Sequence, residues 1–215
     1  MLDVNPPHHS IHGWREFLLH LPTITIGLLI ALSLEGLVEW SHHRHLVDEA
    51  GAGLRTEIQH NADGLKDTLA DIRTQGDVLK SDVGVLKQII KDHRSPKDSH
   101  VEINFHIRGF DNISWKTAQS TGALSYMSYA STKEYAEIYD TQDAIDVVQR
   151  RAARDAILSL APFMNVSEKD GGPNAEEAVY IKQHIEILQR QLLLLNALVT
   201  SLDGEYKKFL TAHTD

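Results

Sequence analysis

The chain contains no cysteine. That excludes a disulfide framework, thiolate zinc sites, iron–sulfur clusters and a cysteine nucleophile. Positive charge is also scarce: 21 Lys and Arg stand against 30 Asp and Glu, a formal net charge of −9 at pH 7. Most of such a surface repels a polyanion, so nucleic acid is excluded as a partner class. Three catalytic signatures are missing as well, G-x-S-x-G, the P-loop and H-E-x-x-H. No nucleophile is paired with a base, and the chain reads as a non-enzyme without a cofactor. What is present, in 215 residues, is 42% hydrophobic and 24% charged. That suits one globular unit with an appendage and is not the composition of a disordered chain.

The appendage is near the N-terminus. Phe17 to Leu34 carries no charged residue, and the apolar run continues past Glu35 to Val38. As a helix this is long enough to cross a hydrocarbon core of roughly 30 Å. Trp14 and Trp40 bracket it, about 39 Å apart along a helix, as an aromatic belt would. A cleaved leader and a buried core helix are the competing readings. The length of the run and its all-round apolarity favour a retained span over both. Gly27, Ala31 and Glu35 share one face at i, i+4, i+8. Small residues at this spacing let two membrane helices approach closely, and Glu35 can hydrogen-bond across the contact.

From Trp40 the pattern stays helical to about Arg94. Ile58, Ala62, Leu65, Leu69, Ile72, Gly76, Leu79, Val83, Leu86 and Ile90 alternate in steps of four and three, a heptad seam. Lys66, Arg73, Lys80 and Lys87 form a basic row beside it, suited to an acidic neighbouring helix. Residues 93–113 break the pattern and form a distal loop, with Val101 to Ile107 alternating as a brief strand would. A short helix is expected from Ser114 to about Tyr129. Ser131-Thr-Lys-Glu134 reads as a capping box opening the next helix, which ends near Asn165. Gln142 and Gln149 interrupt its apolar side. Pro173 fits the first turn of a last helix. That helix carries Ala178, Ile181, Ile185, Leu188, Leu192, Leu195, Val199, Leu202, Tyr206 and Phe209, with Leu193 and Leu194 widening the stripe. The expected fold is all-α: a tail (1–16), a transmembrane helix (17–39) and a long helix (40–92). A distal loop (93–113) and the remaining bundle helices (114–215) follow. Together they predict an elongated antiparallel bundle of three long helices and one short one.

Several of these elements occur in one order. Ile26-Gly-Leu-Leu-Ile-Ala-Leu32 leads to Trp40, then to Glu57-Ile-Gln-His-Asn61, Ser114-Trp115 and Gly122-Ala-Leu124. Over residues 24 to 130 this resembles a family of uncharacterised bacterial single-span membrane proteins. Those carry an IGxLIAL-type span ending in tryptophan, an E-x-x-x-N element and an S/T-W…G-x-L segment. The resemblance implies a bacterial envelope protein and no particular activity. The expected location is the bacterial inner membrane, single-pass, with the bundle in the periplasm.

Thirteen histidines are present, and many flank the span. Glu39 and His43 are i, i+4 on one helical face, and His42 and His45 are their neighbours, a set of metal-ligand chemistry. Asn61, beside the seam, is a candidate for fixing helix register. The expected role is that of a membrane-anchored structural, adaptor or accessory-subunit protein. Its partners would be lipid and either further copies of itself or another membrane protein. A sensor for a small ligand, metal or proton is the alternative.

Overall fold

A computed structural model describes residues 13–94, 101, 103, 105–162 and 172–213, without the side chains of residues 15, 16 and 19. The chain divides into two compact units, Met1–Glu49 and Ala50–Asp215. The described residues are helical and include no strand. The tail histidines His8, His9 and His12 lie outside them, as do the boundary near Asn165 and part of the 93–113 loop.

The first unit is the start of helix α1 (Trp14–Asp63). Its apolar side chains are exposed around the whole circumference: Ile24, Leu28, Leu29, Ile30, Leu34 and Val38 are each more than half accessible. Polar side chains inside the run turn back onto the helix. Thr25 donates its hydroxyl hydrogen to the Leu21 carbonyl at 2.8 Å and Ser33 to the Leu29 carbonyl at 2.6 Å. Two stretches of the chain are long and apolar enough to cross a membrane. In His20–Asp92 the most apolar window has a mean hydropathy of 1.9 with none of it buried. In Ala175–Ala212 the value is 1.2 with 33% buried.

The second unit contains the end of α1, then α2 (Leu65–Asp92), α3 (Ile113–Ser120), α4 (Tyr129–Leu160) and α5 (Ala175–Ala212). The single long helix expected over 40–92 is divided at Gly64, though only just. Gly64 N still donates to the His60 carbonyl at 3.4 Å and Thr68 N to the Gly64 carbonyl at 3.2 Å. Glycine suits this position because the Arg108 guanidinium sits 3.1 Å from where a Cβ would be. The short helix expected to run to Tyr129 stops at Ser120. Gly122, at φ 75°, turns the chain into a 3-10 turn over Ala123–Tyr126. Helix α4 then opens earlier than the Ser131–Glu134 pattern indicates. Ser128 is its N-cap and accepts from the Ser131 amide at 3.1 Å, so Ser131 lies inside the first turn. Helix α5 has a complete capping box between Asn174 and Glu177, which places Pro173 one residue ahead of the cap.

Helix α5 packs against both α2 and α4. All ten residues of its seam, Ala178 to Phe209, are buried. Each leucine or isoleucine buried this way contributes roughly 1.5–3 kcal/mol. Leu193 and Leu194, which widen the stripe, remain exposed. Contacts between α4 and α5 descend in one helix as they rise in the other. Gln142 meets Tyr206, and Asp155 meets Gln191. Helix α4 therefore runs antiparallel to α5. It runs parallel to α1, since Arg55 lies near Tyr135 and Glu57 bonds Tyr139.

That direction corrects the expectation that short links force every neighbour to be antiparallel. The connection between α2 and α4 is not short. Over its described residues it lies along α1 and α2 as an extended return segment. The His106 carbonyl meets Gln75, Asp111 meets Asn61, and Ser114 meets Glu57. The described part of the expected distal loop thus fills a side of the bundle, and the described residues between Val101 and Ile107 form no strand.

Candidate functional site

An extended segment laid along helices has unpaired amides and carbonyls, and each needs a partner. The helices supply side chains. Asn61 Nδ2 donates to the Asp111 carbonyl at 2.8 Å, and the Asp111 amide donates to Asn61 Oδ1 at 2.9 Å. Gln75 donates to the His106 carbonyl, and Gln149 of α4 to the Arg108 carbonyl at 3.3 Å. One turn before Asn61, Glu57 Oε2 accepts from the Ser114 amide at 2.7 Å and its Oε1 accepts from the Tyr139 hydroxyl at 2.6 Å. Trp115 stacks on Tyr139, ring centres 4.9 Å apart and planes 5° from parallel. Gln142 donates to the Tyr206 hydroxyl at 2.7 Å, and Phe110 sets its edge against the Tyr206 ring. Glu57, Asn61 and Gln142 are all buried.

This cluster explains residues that the apolar reading of α1 and α2 passes over. Asn61, Thr68, Gln75 and Asp82 repeat at seven, one position before Ala62, Leu69, Gly76 and Val83. Asn61, Thr68 and Asp82 are buried. Asn61 and Gln75 of this row bond the backbone of the return segment, and Thr68 donates to the Gly64 carbonyl one turn back at 3.2 Å. Likewise Gln142 and Gln149, which interrupt the apolar side of α4, are anchors rather than defects.

Burial raises the pKa of the Tyr139 hydroxyl, and its hydrogen bond to Glu57 adds to the shift. Burial also raises Tyr206, against hydrogen bonds from Gln142 and Asn61, and raises Tyr135, against the charge of Arg55. The sign for stability follows. Above pH 10 the unfolded chain loses these protons while the folded chain keeps them, so stability falls as pH rises. Each such tyrosine contributes a slope of about 1.4 kcal/mol per pH unit. Denaturant titrations between pH 7 and 11.5 are expected to show the loss beginning near pH 10. Tyr139→Phe should reduce its steepness by about one such slope, and an unchanged profile in that variant would count against the buried hydroxyl.

The cavity that Asn61 lines is too small for a substrate. Bounded also by His60, Gly64, Thr68, Arg108, Gly109 and Phe110, it measures about 10 Å³. That is at the lower limit for a single water molecule. Both polar atoms of the Asn61 amide are occupied by the Asp111 backbone. No family model, curated protein or solved structure matches this chain. Geometry alone therefore carries the functional reading.

The other expected site residues lie on α1. Glu39 and His43 approach to 4.0 Å, the His42 and His43 rings are 6.1 Å apart, and His42 and His45 are exposed. Among the described residues no group of three or more His, Cys, Asp or Glu is placed to hold a metal ion. Gly27, Ala31 and Glu35 are exposed on one face, and a Cβ at Gly27 meets nothing within 4 Å. Asn61, expected to fix helix register, bonds the backbone of Asp111 in the chain's own return segment.

Proposed function

We propose that this chain is a membrane-anchored, non-catalytic adaptor or accessory subunit that works through helix association. One observation carries the reading. The apolar side chains of α1 are exposed all round, whereas the bundle uses the seams of α2, α4 and α5 to build its own core. Surface of the first kind suits lipid, and Trp14 and Trp40 fit the two interfaces. Helix α5 meets the same hydropathy threshold, but the ten residues of its seam face the bundle core, whereas none of the most apolar window of α1 is buried. On this reading α1 is the single span. The motif order from Ile26 to Leu124 supports a bacterial envelope protein, and the proposed arrangement is a span in the inner membrane with the bundle in the periplasm. The stripe Gly27, Ala31 and Glu35 offers a face for self-association within the bilayer. Two such faces would bring pairs of Glu39 and His43 together at one level, where a shared metal site becomes a consequence of assembly. The buried polar cluster favours a structural role over a catalytic one, because Glu57 and Asn61 spend their polar atoms on the return segment and on Tyr139.

Crosslinking in intact membranes before gentle detergent extraction tests this. The expected product is a fixed multiple of this chain or a fixed ratio with one second protein. Recovery of the uncrosslinked single chain alone would contradict the reading.

A further inference from the structure

Along α2 and α5 the bundle leaves a trough that its own side chains do not fill. Position 76 of α2 is a glycine in mid-helix, where glycine weakens the helix relative to alanine. A Cβ there meets no atom within 4 Å, so this fold does not require the glycine. The trough beside it measures about 550 Å³, with Ile72, Leu192 and Leu193 among its apolar walls. Leu193 stands 72% exposed on the rim.

Arg73 and Lys80 also line the trough. They belong to the row Lys66, Arg73, Lys80 and Lys87, all exposed and spaced by seven residues, or about 10 Å along the helix. None of the four closes an ion pair with a described carboxylate. Asp77 is the one acidic residue in the lining. A glycine gap, an exposed leucine and two lining cations seven residues apart, Arg73 and Lys80, that close no ion pair with a described carboxylate together match one kind of ligand surface.

We infer that the trough docks an amphipathic helix of another protein, with leucine-like side chains entering beside Gly76 and carboxylates at heptad spacing meeting Arg73 and Lys80. This rests on the adaptor reading and names its partner's chemistry. The apolar contact supplies affinity through burial, and the missing Cβ allows close approach. The charges chiefly set register, orientation and encounter rate. A second copy fits less well. A two-fold pair joined through this face would set cation row against cation row. The exposed carboxylates of α4 do not repeat at seven. Of these, Asp146 is held by Arg150 at 2.6 Å and Glu137 by Lys133 at 3.4 Å.

The test uses the full chain in phosphatidylcholine nanodiscs, with empty nanodiscs as the control. The probe is a fluorescent four-heptad peptide with Leu at a and d and Glu at e and g, which keeps it from pairing with itself. A matched peptide has Lys in place of Glu. The acidic peptide is expected to bind at least tenfold more tightly, and to weaken as salt is raised. Gly76→Leu, which fills the trough, should abolish binding while helix content and melting temperature hold. Should that variant not fold, Leu193→Arg makes the same test at an exposed position. Arg73→Glu with Lys80→Glu should reverse the peptide preference. Equal binding of the two peptides, no binding of the acidic one, or binding that survives Leu193→Arg would overturn the inference. Efficient Leu193→Cys disulfide dimers in membranes would also overturn it, by showing a second copy in the trough. A crosslinked partner that persists in the Leu193→Arg chain would remove the trough and leave the adaptor reading standing.

Discussion

Glu57→Ala is expected to lower the unfolding free energy of the bundle by about 3–4 kcal/mol, a large share of a typical domain's stability. The effect comes from the two donors left behind. The Tyr139 hydroxyl is buried with its ring, which is 1% accessible, and the Ser114 amide opens α3. Each loses an acceptor at 2.6–2.7 Å, and water has poor access to the space vacated. Leaving a buried donor unsatisfied costs about 1–3 kcal/mol. Glu57→Gln keeps one carbonyl oxygen and should cost about half as much. Tyr139→Phe removes one donor and should cost about 1–2 kcal/mol. The Glu57 and Tyr139 changes share a partner, so their effects should not add. Denaturant titration of the full chain in mild detergent, followed by circular dichroism, gives all three values. A loss below 1 kcal/mol for Glu57→Ala would mean that the return segment is held by something other than this cluster.

The second large effect is on location. Leu28→Arg combined with Ile30→Arg is expected to release the chain from the membrane. Arginine near the centre of a spanning helix costs about 2.5–3.5 kcal/mol in insertion, so the pair costs about 5–7 kcal/mol. The two positions lie about 200° apart around the helix, so both charges cannot face the same neighbour. Leu28 and Ile30 are 59% and 56% exposed, so neither substitution removes a core contact. The variant should move from the pelleted membranes to the supernatant with its bundle folded. Retention of the double variant in the membrane would assign the anchor to another segment.

Helix α5 was legible residue by residue. Every three- or four-residue step from Ala178 to Phe209 lands on an apolar side chain, and all ten are buried. Helix α2 was half legible. Ile58, Leu65, Ile72, Leu79 and Leu86 are indeed core residues. Of the intervening line Val83 is buried as expected, but earlier the buried positions are Asn61 and Thr68, one residue before Ala62 and Leu69, because the latter are apolar and the former are not. Hydrophobic periodicity finds faces covered by side chains. A face covered by extended backbone demands hydrogen-bonding groups, and it reads as solvent-facing unless its own heptad repeat is noticed. For the same reason Glu57 and Asn61 stood out only as a spaced pair. Their partners, the backbone of Asp111 and Ser114, carry no sequence signature. The direction of α4 was hidden as well, because the number of residues in a link does not reveal that the link runs back along the bundle. The helix breaks at Gly64 and Gly122 are local events, one set by Arg108 and the other by a positive φ.

The account rests on one helix in the bilayer and one bundle that folds in water. Fractionation of residues 50–215 expressed alone, beside the full chain, tests this most directly. The account predicts that the full chain stays in the membrane pellet through high-salt and alkaline washes. It predicts that residues 50–215 are recovered in the supernatant as a cooperatively melting, mostly helical protein. A shorter chain that stays in the membrane, with α5 as its anchor, would contradict the account, as would a full chain that washes into solution.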